Sequence, residues 1–280
     1  MSSIFTGAAA ERAGGAARGA AAPSVPALPL LALTYWVWLR HRDAFFRVWR
    51  TETLGIFGEP VFALAAFGAG LGFYLRSIEG VDYAVYVAPG LVAGYAMFGA
   101  TFDTTFGAYM RMMNHRTFES ILATPVTIRE LVLGEWVWGA TRAALSGGGM
   151  LAIAAAYGFV DHPAAALMVP YCFLIGLVFA AISLSVVALV PAMSTLNTYF
   201  TLFIAPMFFL SGTFFPIDDL PPFFRVYAQV LPLTHGTTVV RGFAIGEFSM
   251  EMAWATLALF AYLAVFTPLC VWLMRRRIVK

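Results

Sequence analysis

The sequence predicts an all-α integral membrane protein: six transmembrane helices, an N-terminal interfacial amphipathic helix before them, and an external re-entrant helix pair before the last span. Three observations lead there. Of 280 residues 61% are hydrophobic and only 11% charged, with a mean hydropathy of +0.80, so water is not the solvent for most of the surface. Six stretches reach the roughly 20 apolar residues needed to cross about 30 Å of hydrocarbon. The basic residues cluster on one side of the resulting topology.

Residues 1–27 form an Ala/Gly-rich, low-complexity tail with no large apolar side chain at helical period apart from Ile4 and Phe5. Such a segment is expected to be disordered, and it lacks the apolar core of a secretory signal. Residues 28–51 are too charged to span. A helical wheel gathers Trp38, Phe45, Phe46, Val48 and Trp49 on one side and Arg40, Asp43, Arg47 and Arg50 on the other, with Arg42 as the misfit. This suits a helix in the headgroup plane, and it also suits an amphipathic helix packed on a partner.

The membrane domain, 52–280, is expected to place its spans near 54–75, 84–109, 132–157, 165–190, 196–215 and 253–274. With the first span leaving the cytoplasm, Arg40, Arg42, Arg47, Arg50, Arg111, Arg116, Arg129, Arg275, Arg276, Arg277 and Lys280 are internal, and Arg76, Arg225 and Arg241 external. This asymmetry puts both termini in the cytoplasm. Cys172 and Cys270 then lie at different depths, which argues against a disulfide. Gly68–Gly72 and Gly90–Gly94 carry the small-xxx-small spacing that lets helix backbones approach closely. Pro89, Pro170 and Pro206 are tolerated where neighbouring groups satisfy the freed carbonyls. No internal repeat supports an inverted-repeat transporter.

Four ionisable groups fall within the spans: Glu59, Asp103, Glu135 and Arg142. Groups so costly to bury face the bundle interior or a water-filled cavity. Arg142 is expected to pair with Asp103. Glu135 lies seven residues away, about 10 Å along a helix axis, so a direct pair would need both side chains to bend.

The internal connection 110–131 has its own pattern. Phe118, Ile121 and Leu122 share a helical face flanked by Met110, Met112 and Met113, Thr124-Pro125 stops the helix, and Thr127 with Glu130 forms a capping box for the next span. An exposed apolar helix held between two spans suits a cleft in a soluble partner, and it would also rest on lipid. The external segment 211–248 is aromatic yet broken by Pro216, Pro221, Pro222 and Pro232. Phe223, Phe224, Tyr227, Val230 and Leu231 recur at helical intervals, so two short helices that dip into the outer leaflet and return are expected, with a simple interfacial cap as the alternative.

Chemistry is sparse. The single lysine is Lys280, so a P-loop for ATP is excluded. The four histidines lack metal-ligand spacing. An integral membrane transferase acting on lipid-linked substrates would need His235 as base, but its nearest downstream acid, Glu247, is twelve residues on. A passive channel would need a charged or carbonyl ring, and none is evident.

Glu59-Pro60 and the Gly68–Gly72 cluster, Ala88-Pro89-Gly90, the run Thr117 to Pro125, Gly134-Glu135, Ser211-Gly212-Thr213-Phe214-Phe215-Pro216 and Leu231-Pro232-Leu233-Thr234-His235 follow in this order. The arrangement over about residues 30–280 resembles the permease subunits of type-2 ABC exporters, in the branch that contains the nodulation lipo-oligosaccharide exporter and the daunorubicin-type drug exporters. The N-terminal tail departs from that pattern. The resemblance implies an ATP-driven exporter of the bacterial inner membrane: two permease copies paired with two separately encoded ATPase subunits, which hold the ATP and Mg. No cofactor is then bound by this chain, and no nucleic acid is a partner. It implies that Phe118, Glu119, Ile121, Leu122, Thr124 and Pro125 belong to the helix that docks on the ATPase. Phe215, Pro216, Phe223, Phe224, Tyr227 and His235 would belong to the external re-entrant pair. Cargo in this family is amphipathic: a lipo-oligosaccharide, a lipid-linked saccharide or a lipophilic drug.

Overall fold

Helix α1 spans Leu30–Arg47 and buries Leu33, Val37 and His41, a stripe at every fourth residue that lies against a later helix, α5 (Ile128–Ala156). The computed structural model describes residues 29–75, 77–78 and 80–279. The expected tail 1–27 lies outside the described residues, as do Arg76 and Lys280. The face of α1 packed on the bundle centres on Val37 and His41, a stripe the wheel did not single out, while Phe46, Val48 and Trp49 of the apolar wheel face are exposed. Apolarity alone missed this because the stripe contains a histidine. A Cβ at Gly134 would run into Val37, so the glycine is what admits α1 so close to α5.

After a break at Val48, α2 runs Trp49–Tyr74 and a two-stranded turn pairs Ser77–Ile78 with Val81–Asp82. Helix α3 is Tyr83–Asn114, capped by the Asp82 side chain accepting from the Ala84 amide at 2.8 Å. The short α4, Thr117–Leu122, leads to α5. Then come α6 (Pro163–Leu189), α7 (Met193–Leu210), α8 (Pro222–Val230), α9 (Pro232–Ile245) and α10 (Met250–Ile278).

Five of these, α2, α3, α6, α7 and α10, are long and apolar enough to cross a membrane by length and composition. Helix α5 is 29 residues long but falls outside that group. Arg129, Glu130, Glu135 and Arg142, with Gly134, Gly139 and Gly147–Gly149, dilute its apolar character. It is nevertheless the hub, lying along α3 and α6 and receiving α1 and α2. The span expected to reach residue 215 stops at Leu210, because the chain turns at Ser211 and Gly212, whose φ of 77° suits glycine. The turn sends Thr213 and Phe214 into the core, and Gly90 of α3 accommodates it: a Cβ there would stand 2.8 Å from Thr213 Cα.

Candidate functional site

Glu135 on α5 is completely buried, and both of its oxygens face cations or donors. Arg111 Nη2 of α3 donates to Oε2 at 2.6 Å, and His41 Nε2 of α1 donates to Oε1 at 2.9 Å. Arg40 Nη2 stands 3.8 Å from the same Oε1. Arg111 also donates to the carboxylate and the carbonyl of Asp103, at 3.3 and 3.2 Å. Two carboxylates and two guanidiniums from three helices thus meet around one imidazole, which itself stacks on Trp138 with ring centroids 5.5 Å apart.

Local backbone makes this possible. Two stretches of α3, Asp103–Gly107 and Met110–Asn114, are wound as π-helix, a departure that is frequent at functional sites. The helix therefore continues to Asn114, and Arg111 reaches back beside Asp103 rather than into solvent. This overturns the expected Arg142–Asp103 pair. Arg142 instead donates to Glu52 of α2 at 2.7 Å and lies over the Phe45 ring, while Asp103 and Glu135 are taken by Arg111. Glu52 had no signal in the sequence as a partner because it precedes the apolar part of its span. Glu59 faces the Tyr95 hydroxyl of α3.

Next to this cluster, α4 begins after Arg116, whose φ of 49° makes it the one non-glycine residue of positive φ among the described residues. Phe118 is only 2% exposed, packed in a core shared with Met112, Leu131, Leu184 and Met274. The expected exposed triplet is therefore corrected: Phe118 points inward because α4 is anchored on its own bundle, and Ile121 and Leu122 are half-buried. What faces outward is Glu119, Ser120 and the Ala123–Pro125 turn. The Thr127–Glu130 capping box is present, with the Thr127 amide donating to Glu130 at 2.7 Å. A cavity of about 910 Å³ opens beside α4, lined by Met113, Leu122, Leu189, Trp272 and Arg276 among others.

At the opposite end of α3, α8 and α9 are two consecutive helices joined at Leu231. Thr234 Oγ1 donates to the Ala228 carbonyl at 2.6 Å, and Thr237 Oγ1 to the Ser211 carbonyl at 2.8 Å. Arg241 donates to the Gly212 carbonyl at 2.8 Å and covers the Tyr86 ring at 4.1 Å. Phe215 and Pro216 are half-buried in the turn, whereas Phe223, Phe224 and Tyr227 are exposed. His235 lines a cavity of about 560 Å³. Its partial burial holds the imidazole below the ordinary histidine value, and among the described residues no carboxylate comes within hydrogen-bonding distance of it. The base-and-acid arrangement a transferase would require is not assembled there. Cys172 and Cys270 are both free and buried.

The profile of a family described as ABC-2 type transporter matches residues 33–245. Nodulation protein J of Rhizobium leguminosarum bv. trifolii is 38% identical over 258 residues, covering 92% of this chain and 98% of the relative. Nodulation protein J of Rhizobium meliloti (strain 1021) is 38% identical, covering 86% and 92%. More distantly, inner membrane transport permease YadH of Escherichia coli (strain K12) is 25% identical over 76% of this chain and 83% of its own.

Proposed function

Since the chain belongs to the ABC-2 type transporter membrane family, we propose that it is the permease half of an ATP-driven exporter that moves an amphipathic cargo, with a lipo-oligosaccharide as the first candidate. The cargo class follows from the resemblance to the nodulation lipo-oligosaccharide exporter branch, and the relatives named for nodulation are similar over nearly their whole length. ATP and Mg belong on a separate ATPase, in two copies, acting on a pair of permeases in the bacterial inner membrane.

On this reading α5 is the sixth span. Its charges are tolerated because α1, α2 and α3 supply their partners, so what faces lipid is less than what its composition suggests. Basic residues near the α4 end, Arg116 and Arg275–Arg277 included, set that end and both termini in the cytoplasm. Helix α1 would lie at the inner interface and α8–α9 would form the external re-entrant pair.

The observation that carries the coupling role is the mounting of α4. Phe118 locks the helix to the bundle beside the Glu135 cluster, while Glu119, ion-paired with the exposed Arg116 at 3.9 Å, and the turn to Pro125 face outward. A load on those outward residues passes through Phe118 into α3, α5 and α10 rather than into a loose loop. The test is Glu119→Arg, a change at a side chain 69% exposed, in a chain expressed with its ATPase. Normal insertion and melting with loss of the co-purifying ATPase and of export are expected. Unchanged capture of the ATPase by Glu119→Arg combined with Ala123→Arg would remove α4 from this role.

A further inference from the structure

The cavity at the α9 end is walled by the start of α3, the turn after Gly212, α9 and the first turns of α10. Its polar lining includes Asp218, Gln229, His235, Glu247 and Glu251, and the ring of Trp254, 66% exposed, stands at its edge. Three observations restrict what could fill it.

The first is charge. Among the described residues, Asp218 is ion-paired with Arg225 outside the cavity wall, and Arg241 is engaged with the Gly212 carbonyl and the Tyr86 ring, which leaves Glu247 and Glu251 as the carboxylates without a cation of their own. The excess is negative, so a phosphate or carboxylate group is disfavoured. The second is dispersal. Among the described residues no three His, Cys, Asp or Glu side chains come close enough to hold a metal ion, so the acids are not a cation site. The third is unused capacity. Unlike the Glu135 cluster, the side chains of Gln229, His235, Glu247 and Glu251 make no hydrogen bond or ion pair with another described residue. A carboxylate accepts several hydrogen bonds and an amide both donates and accepts. A ligand with many hydroxyl donors and no charge satisfies such a wall, and an exposed indole covers the apolar C–H face of a sugar ring.

We propose that this cavity binds the neutral saccharide portion of the cargo, with Glu251 and Glu247 accepting from its hydroxyls and Trp254 stacking on a ring. It is an exit-side subsite, and it rests on the export reading only for the source of the sugar. A volume of about 560 Å³ is enough for a short oligosaccharide and lies within the range of ordinary ligand pockets, roughly 300–1,000 Å³.

The test uses the full chain without ATPase, in phosphatidylcholine nanodiscs, with saturation-transfer NMR against chitotriose and maltotriose and with trigalacturonate as the anionic trisaccharide. Transfer to a neutral trisaccharide and none to trigalacturonate is expected. Glu251→Gln and Trp254→Ala should each weaken binding about tenfold with an unchanged melting temperature, since both side chains are exposed. Absence of transfer from the folded protein to either neutral sugar, equal transfer to trigalacturonate, or wild-type binding by both variants would overturn the proposal. The outcome is separable from the export reading: ATPase capture by α4 can persist when sugar binding fails, and sugar binding can persist when capture fails.

Discussion

The two ends of the bundle hold charge in opposite ways. At the α4 end Glu135 is wholly enclosed and each oxygen meets a donor delivered by another helix. At the α9 end Asp218, Glu247 and Glu251 are exposed, and the last two have no partner among the described residues. A buried carboxylate is tolerable only while its cations stay in place, so the first arrangement binds α1, α3 and α5 into one body. Exposed carboxylates keep their hydration and make little demand on the fold, which leaves the second arrangement free to meet a ligand. On the proposed export reading, the stiff end would receive force and the open end would release cargo.

The comparison is broken most directly by removing one acid from each end. Glu135→Ala leaves Arg111 with Asp103 alone and His41 without its acceptor beside a cavity, and should cost about 3–5 kcal/mol, the usual cost of breaking a buried pair. Glu247→Ala should stay within about 0.5 kcal/mol, as surface changes do. Thermal unfolding of the purified chain measures both. Equal losses would mean that the Glu135 cluster is hydrated and that the contrast between the ends is false.

The aromatic residues allow a second, somewhat smaller test. Phe118→Ala at the α4 end removes a side chain 2% exposed and should destabilise by about 3 kcal/mol. Phe223→Ala, at a side chain 78% exposed, should leave the melting temperature unchanged. Insertion should be normal in both. If Phe118→Ala melts like the wild type, α4 is not anchored and can act only as a flexible tether.

Much of this was legible in the chain. The apolar stretches located the helices within a few residues, because the need for some 20 apolar side chains leaves little freedom. The capping box at Thr127 and Glu130 was equally readable, being local chemistry at fixed spacing. What escaped were facts set between helices. The wheel for α1 followed aromatics and missed Val37 and His41, whose burial depends on Gly134 nearly a hundred residues away. The candidate acids Asp103 and Glu135 do belong to one cluster, but their cation, Arg111, looked like a solvated loop residue. Only the π-wound turns of α3 bring it inward. His235 was singled out as a lone histidine, and its cavity could not be seen because Asp218, Glu247, Glu251 and Trp254 come from separate segments.

Arg142 and Glu52 give the smallest and sharpest test, because they sit between the two regimes. Their side chains are 18% and 37% exposed, and the hydrogen bond is 2.7 Å. Partial exposure lets Glu52 regain water when Arg142 is removed, so the coupling should fall well below that of a buried pair. A double-mutant cycle with Arg142→Ala and Glu52→Ala should return about 1 kcal/mol. Arg142→Ala alone should cost somewhat more than Glu52→Ala alone, because it also forfeits the guanidinium over Phe45, 5.2 Å from the ring centre. The same cycle run with Asp103→Ala should be additive, since Asp103 answers to Arg111. A coupling near zero for Arg142 with Glu52, together with a large one for Arg142 with Asp103, would mean that α3 is wound differently from here and that Arg111 faces solvent. The stiff cluster at the α4 end would then lose its central cation.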